Sequence, residues 1–221
     1  MTPVWPRPVV CLVTDRHRTA GGAATLAAQH RALMALIVDA ADAGVDLIHI
    51  REHDLAPRAL DALVAAAVAV TRGSSSRVVV SDRADVALSA GADGVHLPAV
   101  GPPVDRVRTL GAAGWLVGRS AHAPAELVAA AAADYVVFGT VFATDSKPGV
   151  AGQGIAALAE AVRRVSAPVL AIGGITIDRA RECATAGAAG VAAISLFIPT
   201  APGGIGPRAA VARLREAFNA D

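Results

Sequence analysis

One stretch of the sequence decides the fold, Pro168-Val169-Leu170-Ala171-Ile172-Gly173-Gly174-Ile175-Thr176. Its apolar run is typical of a strand that is buried on both faces, and it ends at two glycines. A helical pattern over residues 178–186 follows at once. Backbone N–H groups that are free of side chains in front of a helix can bind phosphate or another small anion. A pair of glycines after a strand can also form only a tight turn. The rest of the sequence is therefore needed to distinguish an anion site from a turn.

The same order of apolar strand, polar turn and helix repeats along the chain. We expect residues 15–25 to form a loop after the first strand, residues 139–154 to form a long loop, and residues 197–206 to form a Pro/Gly loop. Strands are predicted over residues 9–14, 46–51, 77–81, 94–97, 115–119, 135–138, 168–172 and 191–196. Helices are predicted over residues 26–43, 57–71, 84–90, 104–110, 124–132, 155–165, 178–186 and 207–218.

Eight strand–helix units predict a parallel sheet closed as a (β/α)₈ TIM barrel, with residues 1–221 as a single domain. The alternative is an open, doubly wound sheet. That fold favours a G-x-G-x-x-G turn after the first strand. Gly21 and Gly22 lie deep in a long loop without this spacing, so the barrel is the favoured prediction.

Composition excludes several classes of partner. The 221 residues are 54% apolar and 3% aromatic, with a net charge of +1. A scattered charge without a basic stripe, and the lack of aromatic stacking platforms, argue against nucleic acid. The apolar runs are too short to span a membrane, and the N-terminus resembles no secretory signal. We expect a cytoplasmic protein with Cys11 and Cys183 as buried free thiols.

The carboxyl ends of barrel strands form the functional face, and here they are polar. His49, Arg51 and His53 are spaced by two, so they share one side of a strand, whereas Ile48 and Ile50 suit the helix-packed side. We expect these polar side chains to bind an anion, with the Arg51 guanidinium as the hydrogen-bond donor of fixed charge. The alternative is an ion pair of Arg51 with Asp82 or Glu52.

His122 and Ser120 share a face at the end of the fifth strand. A histidine at this position is a candidate general acid or base, since its pKa lies near working pH. The alternative role is a hydrogen bond to a neighbouring loop.

Metal sites are disfavoured by the spacing of the candidate ligands. Asp82 and Asp15 end strands, but Mg²⁺ prefers a further carboxylate that is hard to place, so we expect an ion pair for Asp82. The histidines at strand ends follow no known transition-metal spacing, and one of them could merely cap a short strand. These histidines are His49, His53, His96 and His122.

The long loop carries groups suited to a phosphate-bearing ligand. Loops of this length in compact domains are often functional. Thr144 and Ser146 offer hydroxyls, and Lys147 offers a cation. We predict that these three residues contribute to phosphate binding.

Several motifs together resemble the thiamin phosphate synthase/TenI superfamily, whose members are (β/α)₈ barrels. The resemblance covers nearly the whole chain. It rests on Leu12-Val13-Thr14-Asp15, Ile50-Arg51-Glu52, Ser81-Asp82-Arg83, Gly118-Arg119-Ser120-Ala121-His122, Ala133-Asp134-Tyr135-Val136-Val137-Phe138-Gly139-Thr140-Val141-Phe142-Ala143-Thr144-Asp145-Ser146-Lys147 and Ile172-Gly173-Gly174-Ile175.

One member of the superfamily is the synthase, which joins a pyrimidine pyrophosphate to a thiazole phosphate with Mg²⁺. Its motif Gln-x-Arg-Glu-Lys corresponds here to His49, Arg51, Glu52 and His53, so the Gln and Lys positions differ. Its Asn-Asp-Arg motif begins here with Ser81 in place of the Asn, followed by a matching Asp82. The second Mg²⁺ aspartate of the synthase falls on Gly101, and its loss should weaken Mg²⁺ binding.

The other member is the TenI-type thiazole tautomerase, which aromatises a carboxylated thiazole phosphate without metal. Its acid/base histidine corresponds to His122, although many synthases also have a histidine near this position. The loop over residues 142–154 also looks more like that of the tautomerase.

The resemblance therefore implies an enzyme of thiamin biosynthesis, and the tautomerase, an isomerase, is the favoured prediction. The synthase, a transferase, is the alternative, and a non-catalytic sensor of a thiamin precursor is the third hypothesis. The expected ligand is a small-molecule thiazole phosphate, without a cofactor unless the chain is a synthase, in which case Asp82 would bind Mg²⁺. The chain could also form a homo-oligomer. Phosphate binding is expected from Gly173, Gly174, Ser195, Thr144, Ser146 and Lys147, and other substrate contacts from Arg51, His49, His53, Ser81, Asp82 and Ser120.

Overall fold

Eight parallel strands form a closed barrel, in which β1 pairs with both β2 and β8. The computed structural model describes residues 5–22, 25–144, 149 and 151–219. The predicted (β/α)₈ barrel is confirmed, and the open doubly wound alternative is wrong, because closure leaves no sheet edge. The strands are β1 (Val9–Val13), β2 (Leu47–Ile50), β3 (Arg77–Ser81), β4 (Gly94–Leu97), β5 (Leu116–Ala121), β6 (Tyr135–Gly139), β7 (Val169–Ile172) and β8 (Gly190–Ala193).

Helices surround the barrel, and none in the described ranges is long and apolar enough to cross a membrane. The 3₁₀ helix Pro124–Ala130 connects β5 to β6, where an α-helix was predicted. Its backbone makes the i to i+3 bonds of a tighter turn, such as Ala131 N–H to the Val128 carbonyl. The α-helices are α1 (Arg16–Thr19), α2 (Leu26–Asp42), α3 (Pro57–Thr71), α4 (Ala84–Ser89), α5 (Val104–Arg108), α6 (Gly154–Arg164), α7 (Ile177–Thr185) and α8 (Pro207–Asn219).

Two other segments differ from the prediction at the functional end of the barrel. The first loop contains the short helix α1, which forms because the Asp15 carboxylate accepts a hydrogen bond from Arg18 N–H at 3.0 Å and caps it. Strand β8 ends at Ala193, and a 3₁₀ turn over Ser195–Phe197 follows. Ser195 therefore lies on a turn beyond the strand instead of ending it.

Side chains alternate between the barrel interior and the helical layer. On β2, Leu47 packs with the interior cluster, whereas Ile48 and Ile50 pack with the residues under the helices. This alternation is the predicted one, and it directs His49 inward. On β5, Gly118 leaves room for Tyr135, because a Cβ at that glycine would lie 2.2 Å from the tyrosine ring.

A buried carboxylate ties the first loop to the end of β2. Glu52 accepts hydrogen bonds from the Thr14 hydroxyl at 2.7 Å and from Arg16 N–H at 3.1 Å, and it pairs with the Arg16 guanidinium at 3.0 Å. Thr14 in turn accepts a hydrogen bond from Arg51 N–H at 2.9 Å. The ion-pair partner of Glu52 is thus Arg16, and Arg51 remains available at the barrel mouth.

We expect Glu52→Gln to lower the free energy of unfolding by about 3 kcal/mol, because it breaks a buried ion pair without changing side-chain size. Urea denaturation measures this loss. The matched control is Glu160→Gln, which breaks an exposed ion pair with Arg164 on α6 and should cost less than about 0.5 kcal/mol. Equal losses in the two variants would contradict a role for Glu52 as the anchor of the first loop.

Candidate functional site

A cavity of about 530 Å³ opens at the carboxyl ends of the strands. The sequence-predicted site residues come from six different strand ends, and closure of the barrel brings them together. Ser146 and Lys147 lie outside the described residues. The predicted residues that line the cavity are His49, Arg51, His53, Ser81, Asp82, Ser120, His122, Thr144, Gly173, Gly174 and Ser195.

The two glycines after β7 form one wall of the cavity. Gly173 and Gly174 have φ of +101° and +61°, which side chains rarely allow. A Cβ would also lie 2.4 Å from Thr140 Cγ2 at the first glycine and 2.5 Å from the Ala143 carbonyl at the second. The N–H groups of Gly174 and Ile175 donate to no acceptor in the described part of the chain. This turn can therefore bind an anion.

Two arginines on this wall were missed from the sequence. Arg18 lies on α1 and donates to the Ser195 hydroxyl at 3.4 Å, while Asp15 pairs with its Nε at 3.2 Å. Arg179 lies in the first turn of α7 and donates to the Gly174 carbonyl at 2.7 Å. A positive charge in the first turn of a helix is unfavourable, because it opposes the helix dipole. This unusual position of Arg179 is the sequence feature from which a functional role could have been inferred.

A second set of polar groups lies across the mouth, on β2 and β3. The Arg51 guanidinium makes no ion pair or hydrogen bond with any described residue, so the predicted alternative pairing with Asp82 or Glu52 is wrong. Asp82 has φ of +59°, the one positive φ among the described non-glycine residues. Such strain tends to occur at functional sites. Its carboxylate has no cationic partner within the described ranges, and the ion pair expected for it is not formed.

Two neighbouring imidazoles, tilted by 47° relative to each other, form the floor of the cavity. His49 Nε2 is 2.7 Å from the Ser81 hydroxyl, and His96 Nε2 is 2.8 Å from the Ser120 hydroxyl. The two rings lie 4.5 Å apart, and His96 Nδ1 is 3.1 Å from the hydroxyl of Tyr135. His96 lies within β4 and does not cap it; its side chain joins the floor to the tyrosine in the barrel interior.

Burial keeps both floor histidines neutral. It lowers the pKa of His96 to about 3. Burial also lowers the pKa of His49 well below its usual value, with smaller contributions from the neighbouring His96, Arg51 and His53. The floor therefore offers hydrogen bonds without positive charge, whereas Arg18, Arg51 and Arg179 bring positive charge to other parts of the described lining.

His122 is held in one tautomer. Its Nδ1 lies 2.6 Å from the Gly139 carbonyl, and a carbonyl can only accept, so Nδ1 carries the proton. Nε2 then keeps a lone pair that can take up a proton. The backbone N–H of His122 donates to Glu126 at 2.7 Å and fixes the residue further. Both hypotheses for this histidine, acid/base chemistry and a loop hydrogen bond, are compatible with this geometry.

The described lining of the cavity suits a magnesium ion that binds together with a phosphate-bearing substrate. Within the described ranges, no three His, Cys, Asp or Glu residues cluster as metal ligands, so a ring of four histidines does not form there. Among the described residues, Asp82 is the one carboxylate that lines the cavity. Mg²⁺ is commonly held by one or two carboxylates together with substrate phosphates. The donor set therefore fits Mg²⁺ bound with a pyrophosphate and does not fit Mg²⁺ held by protein groups alone.

We expect the buried histidines to make stability depend on pH. The unfolded chain takes up a proton at His96 near pH 6.5, whereas the folded chain takes it up only near pH 3, so the free energy of unfolding falls as pH drops between these values. The slope is about 1.4 kcal/mol per pH unit for each such group. His96→Gln should reduce the slope by about this amount in urea titrations from pH 4 to 6. An unchanged slope would show that His96 is protonated in the folded protein.

The chain is similar to known proteins over most of its length. A family model described as thiamine monophosphate synthase matches residues 10–197. The chain is 40% identical over 190 residues to a putative thiamine-phosphate synthase of Geobacter sulfurreducens, covering 85% of each chain. It is 43% identical over 162 residues to a thiamine-phosphate synthase of Methanoculleus marisnigri, covering 72% of this chain and 77% of the relative.

A solved structure is also similar over nearly the full length. The thiamine phosphate pyrophosphorylase from Pyrococcus furiosus superposes with a TM-score of 0.77 at 29% identity, covering 96% of this chain and 95% of that one. These names favour the synthase, which was the alternative prediction, over the tautomerase, which was the first. The resemblance seen in the motifs is confirmed, and the chain belongs to the thiamine monophosphate synthase/TenI family of thiamine biosynthesis enzymes.

Proposed function

We propose that the protein is a thiamine-phosphate synthase, which transfers a pyrimidine group from its pyrophosphate to the nitrogen of a thiazole phosphate. The observation that carries this proposal is that one cavity holds two separate sets of anion-binding groups. One set lies on the wall of Gly173, Gly174 and Ser195, and the other contains Arg51 and His53 across the mouth. The names of the similar proteins support the same reaction.

The wall after β7 and β8 suits the thiazole phosphate. The N–H groups of Gly174 and Ile175 lack acceptors within the described ranges, and the Ser195 hydroxyl and Arg18 lie on the same side. Backbone donors and an arginine are the groups that bind a phosphate monoester best. Thr144 also lines the cavity and would contribute from the long loop. This wall would hold the acceptor substrate so that its ring nitrogen faces the centre of the mouth.

The opposite side suits the pyrophosphate of the donor substrate. Arg51 has its guanidinium donors available, and His53 lies on the same side of the mouth. Asp82 is the residue that would hold Mg²⁺, and the ion would neutralise the leaving pyrophosphate when bound. In the reaction, the bond between the pyrimidine methylene carbon and the pyrophosphate oxygen breaks, and a carbon–nitrogen bond to the thiazole forms. The pyrophosphate leaves with the electron pair of the broken bond.

The synthase proposal predicts that Asp82→Asn lowers the rate of thiamin phosphate formation at least 100-fold. Asparagine tolerates the positive φ, so the backbone should persist while the charge is lost. The measurement supplies pyrimidine pyrophosphate, thiazole phosphate and Mg²⁺, and follows thiamin phosphate by liquid chromatography. Asp39→Asn, on the exposed face of α2, is the matched control and should keep full activity. Wild-type protein that forms no thiamin phosphate would refute the proposal.

A second candidate, the thiazole tautomerase, is favoured by one specific observation. His122 carries its proton on Nδ1, so Nε2 is oriented as a base beside the cavity. In this reaction, Nε2 would remove a proton from a ring carbon, and the protonated imidazole would return a proton to the exocyclic carbon. Arg51 would bind the carboxylate of this substrate, a group that the thiazole phosphate of the synthase lacks. Gly101 at the position of the second synthase aspartate supports this alternative.

The two candidates make opposite predictions for two variants. For the tautomerase, His122→Asn abolishes the aromatisation of the dihydrothiazole phosphate, followed by ultraviolet absorbance, and Asp82→Asn has little effect. For the synthase, His122→Asn lowers the rate of thiamin phosphate formation less than Asp82→Asn does. The matched control for the histidine is His30→Asn on α2, outside the cavity. A protein that binds thiazole phosphate but catalyses neither reaction would support the third hypothesis, a sensor.

A further inference from the structure

Arg179 lies beside the anion-binding turn, where no described acidic residue pairs with it. It belongs to the first turn of α7, where its backbone N–H donates to the capping Thr176 hydroxyl at 3.3 Å. A positive charge at this position opposes the helix dipole. No carboxylate in the described part of the chain pairs with its guanidinium. The described contacts of the side chain are therefore with the turn and with Phe142.

Two contacts fix the guanidinium. Nη1 donates to the Gly174 carbonyl at 2.7 Å, and the guanidinium carbon lies 4.8 Å from the centre of the Phe142 ring. Phe142 is tied to the same turn, because its backbone N–H donates to the Gly173 carbonyl at 3.2 Å. The arginine therefore joins the turn after β7 to the first residues after β6.

The hydrogen bond to Gly174 sets the direction of the next amide. In a trans peptide, the carbonyl and the following N–H point in opposite directions. When Arg179 holds the Gly174 carbonyl, the N–H of Ile175 must point away from the guanidinium. That N–H has no acceptor within the described residues. A positive charge on the carbonyl side also polarises the peptide and strengthens its N–H as a donor.

We propose that Arg179 is the positioning residue of the phosphate site, acting through the peptide between Gly174 and Ile175. The inference rests on the proposed binding of a thiazole phosphate and extends it to a residue outside the glycine turn. Arg179 stabilises the left-handed conformation of Gly174 and orients the Ile175 amide for the phosphate. Since the side chain of Arg179 contacts Gly174 and Phe142, we expect the effect to be confined to the phosphate.

The test compares ligands with and without a phosphate. Calorimetric titration measures the affinity of each variant for the thiazole phosphate, for the corresponding thiazole alcohol, and for inorganic phosphate. Arg179→Met keeps the stem that packs on Phe142 but removes the donors. We expect it to weaken binding of the thiazole phosphate and of inorganic phosphate at least tenfold, and to leave the alcohol within twofold of wild type.

Two further variants separate positioning from general damage. Arg179→Lys can still donate to the Gly174 carbonyl, so it should restore phosphate affinity to within about threefold of wild type. Arg181→Met, on the exposed side of the same helix, should change no affinity. Equal weakening of the alcohol and the phosphate ester by Arg179→Met would overturn the inference, as would unchanged phosphate affinity.

The outcome also separates this inference from the proposed function. Wild-type protein that binds inorganic phosphate but not the thiazole phosphate would refute the proposed function. The role of Arg179 would then be tested by comparing the affinities of wild type and Arg179→Met for inorganic phosphate. Wild-type protein that binds neither would refute both. In a synthase assay, Arg179→Met should raise the KM for the thiazole phosphate at least tenfold and change kcat less.

Discussion

Closure of the parallel sheet is the constraint on which the site depends. Since all eight strands run in one direction, their carboxyl ends must meet at one rim, whatever their separation along the chain. Arg51 and Gly173 are more than 100 residues apart in sequence, yet they line the same cavity. The rim residues are free to be polar because the hydrophobic stabilisation comes from the barrel interior and from the helical layer beneath it. Polar groups at the rim therefore cost the fold little.

The charged groups and the neutral hydrogen-bonding groups of the cavity lie in different places. Its floor consists of neutral imidazoles bonded to hydroxyls, and its rim carries the arginines. A ligand with two anionic ends can thus place its charges at opposite sides of the mouth and its uncharged ring over the floor. Both reactions considered for the family bring two anionic groups into the cavity, on one ligand in the tautomerase and on two separate substrates in the synthase, so this arrangement alone does not distinguish the two reactions.

Much of this arrangement follows from periodicity in the sequence. Alternation along β2 was enough to direct His49 and Arg51 toward the mouth and the flanking isoleucines toward the helices. Periodicity could not locate Arg18 or Arg179, because both lie on helices whose approach to the cavity depends on the path of a turn. Ser195 was expected at a strand end and lies on a 3₁₀ turn, since β8 stops two residues earlier.

Other features depend on contacts between distant segments. The tautomer of His122 is set by the Gly139 carbonyl on the neighbouring strand, and no local pattern encodes that partnership. Glu52 was grouped with the mouth residues of its motif, yet its ion pair and hydrogen bonds are with residues of the first loop. Sequence motifs identified these residues as important without separating those that face the ligand from those that hold the scaffold.

The contact between Gly118 and Tyr135 links two positions whose substitutions cannot be independent. A side chain at position 118 would occupy the space of the tyrosine ring, so any larger residue there requires a smaller one at position 135. Loss of the tyrosine hydroxyl would also leave His96 Nδ1 without its hydrogen-bond partner among the described residues. A side chain can therefore be introduced at position 118 only after position 135 has become smaller, so these two substitutions have a required order.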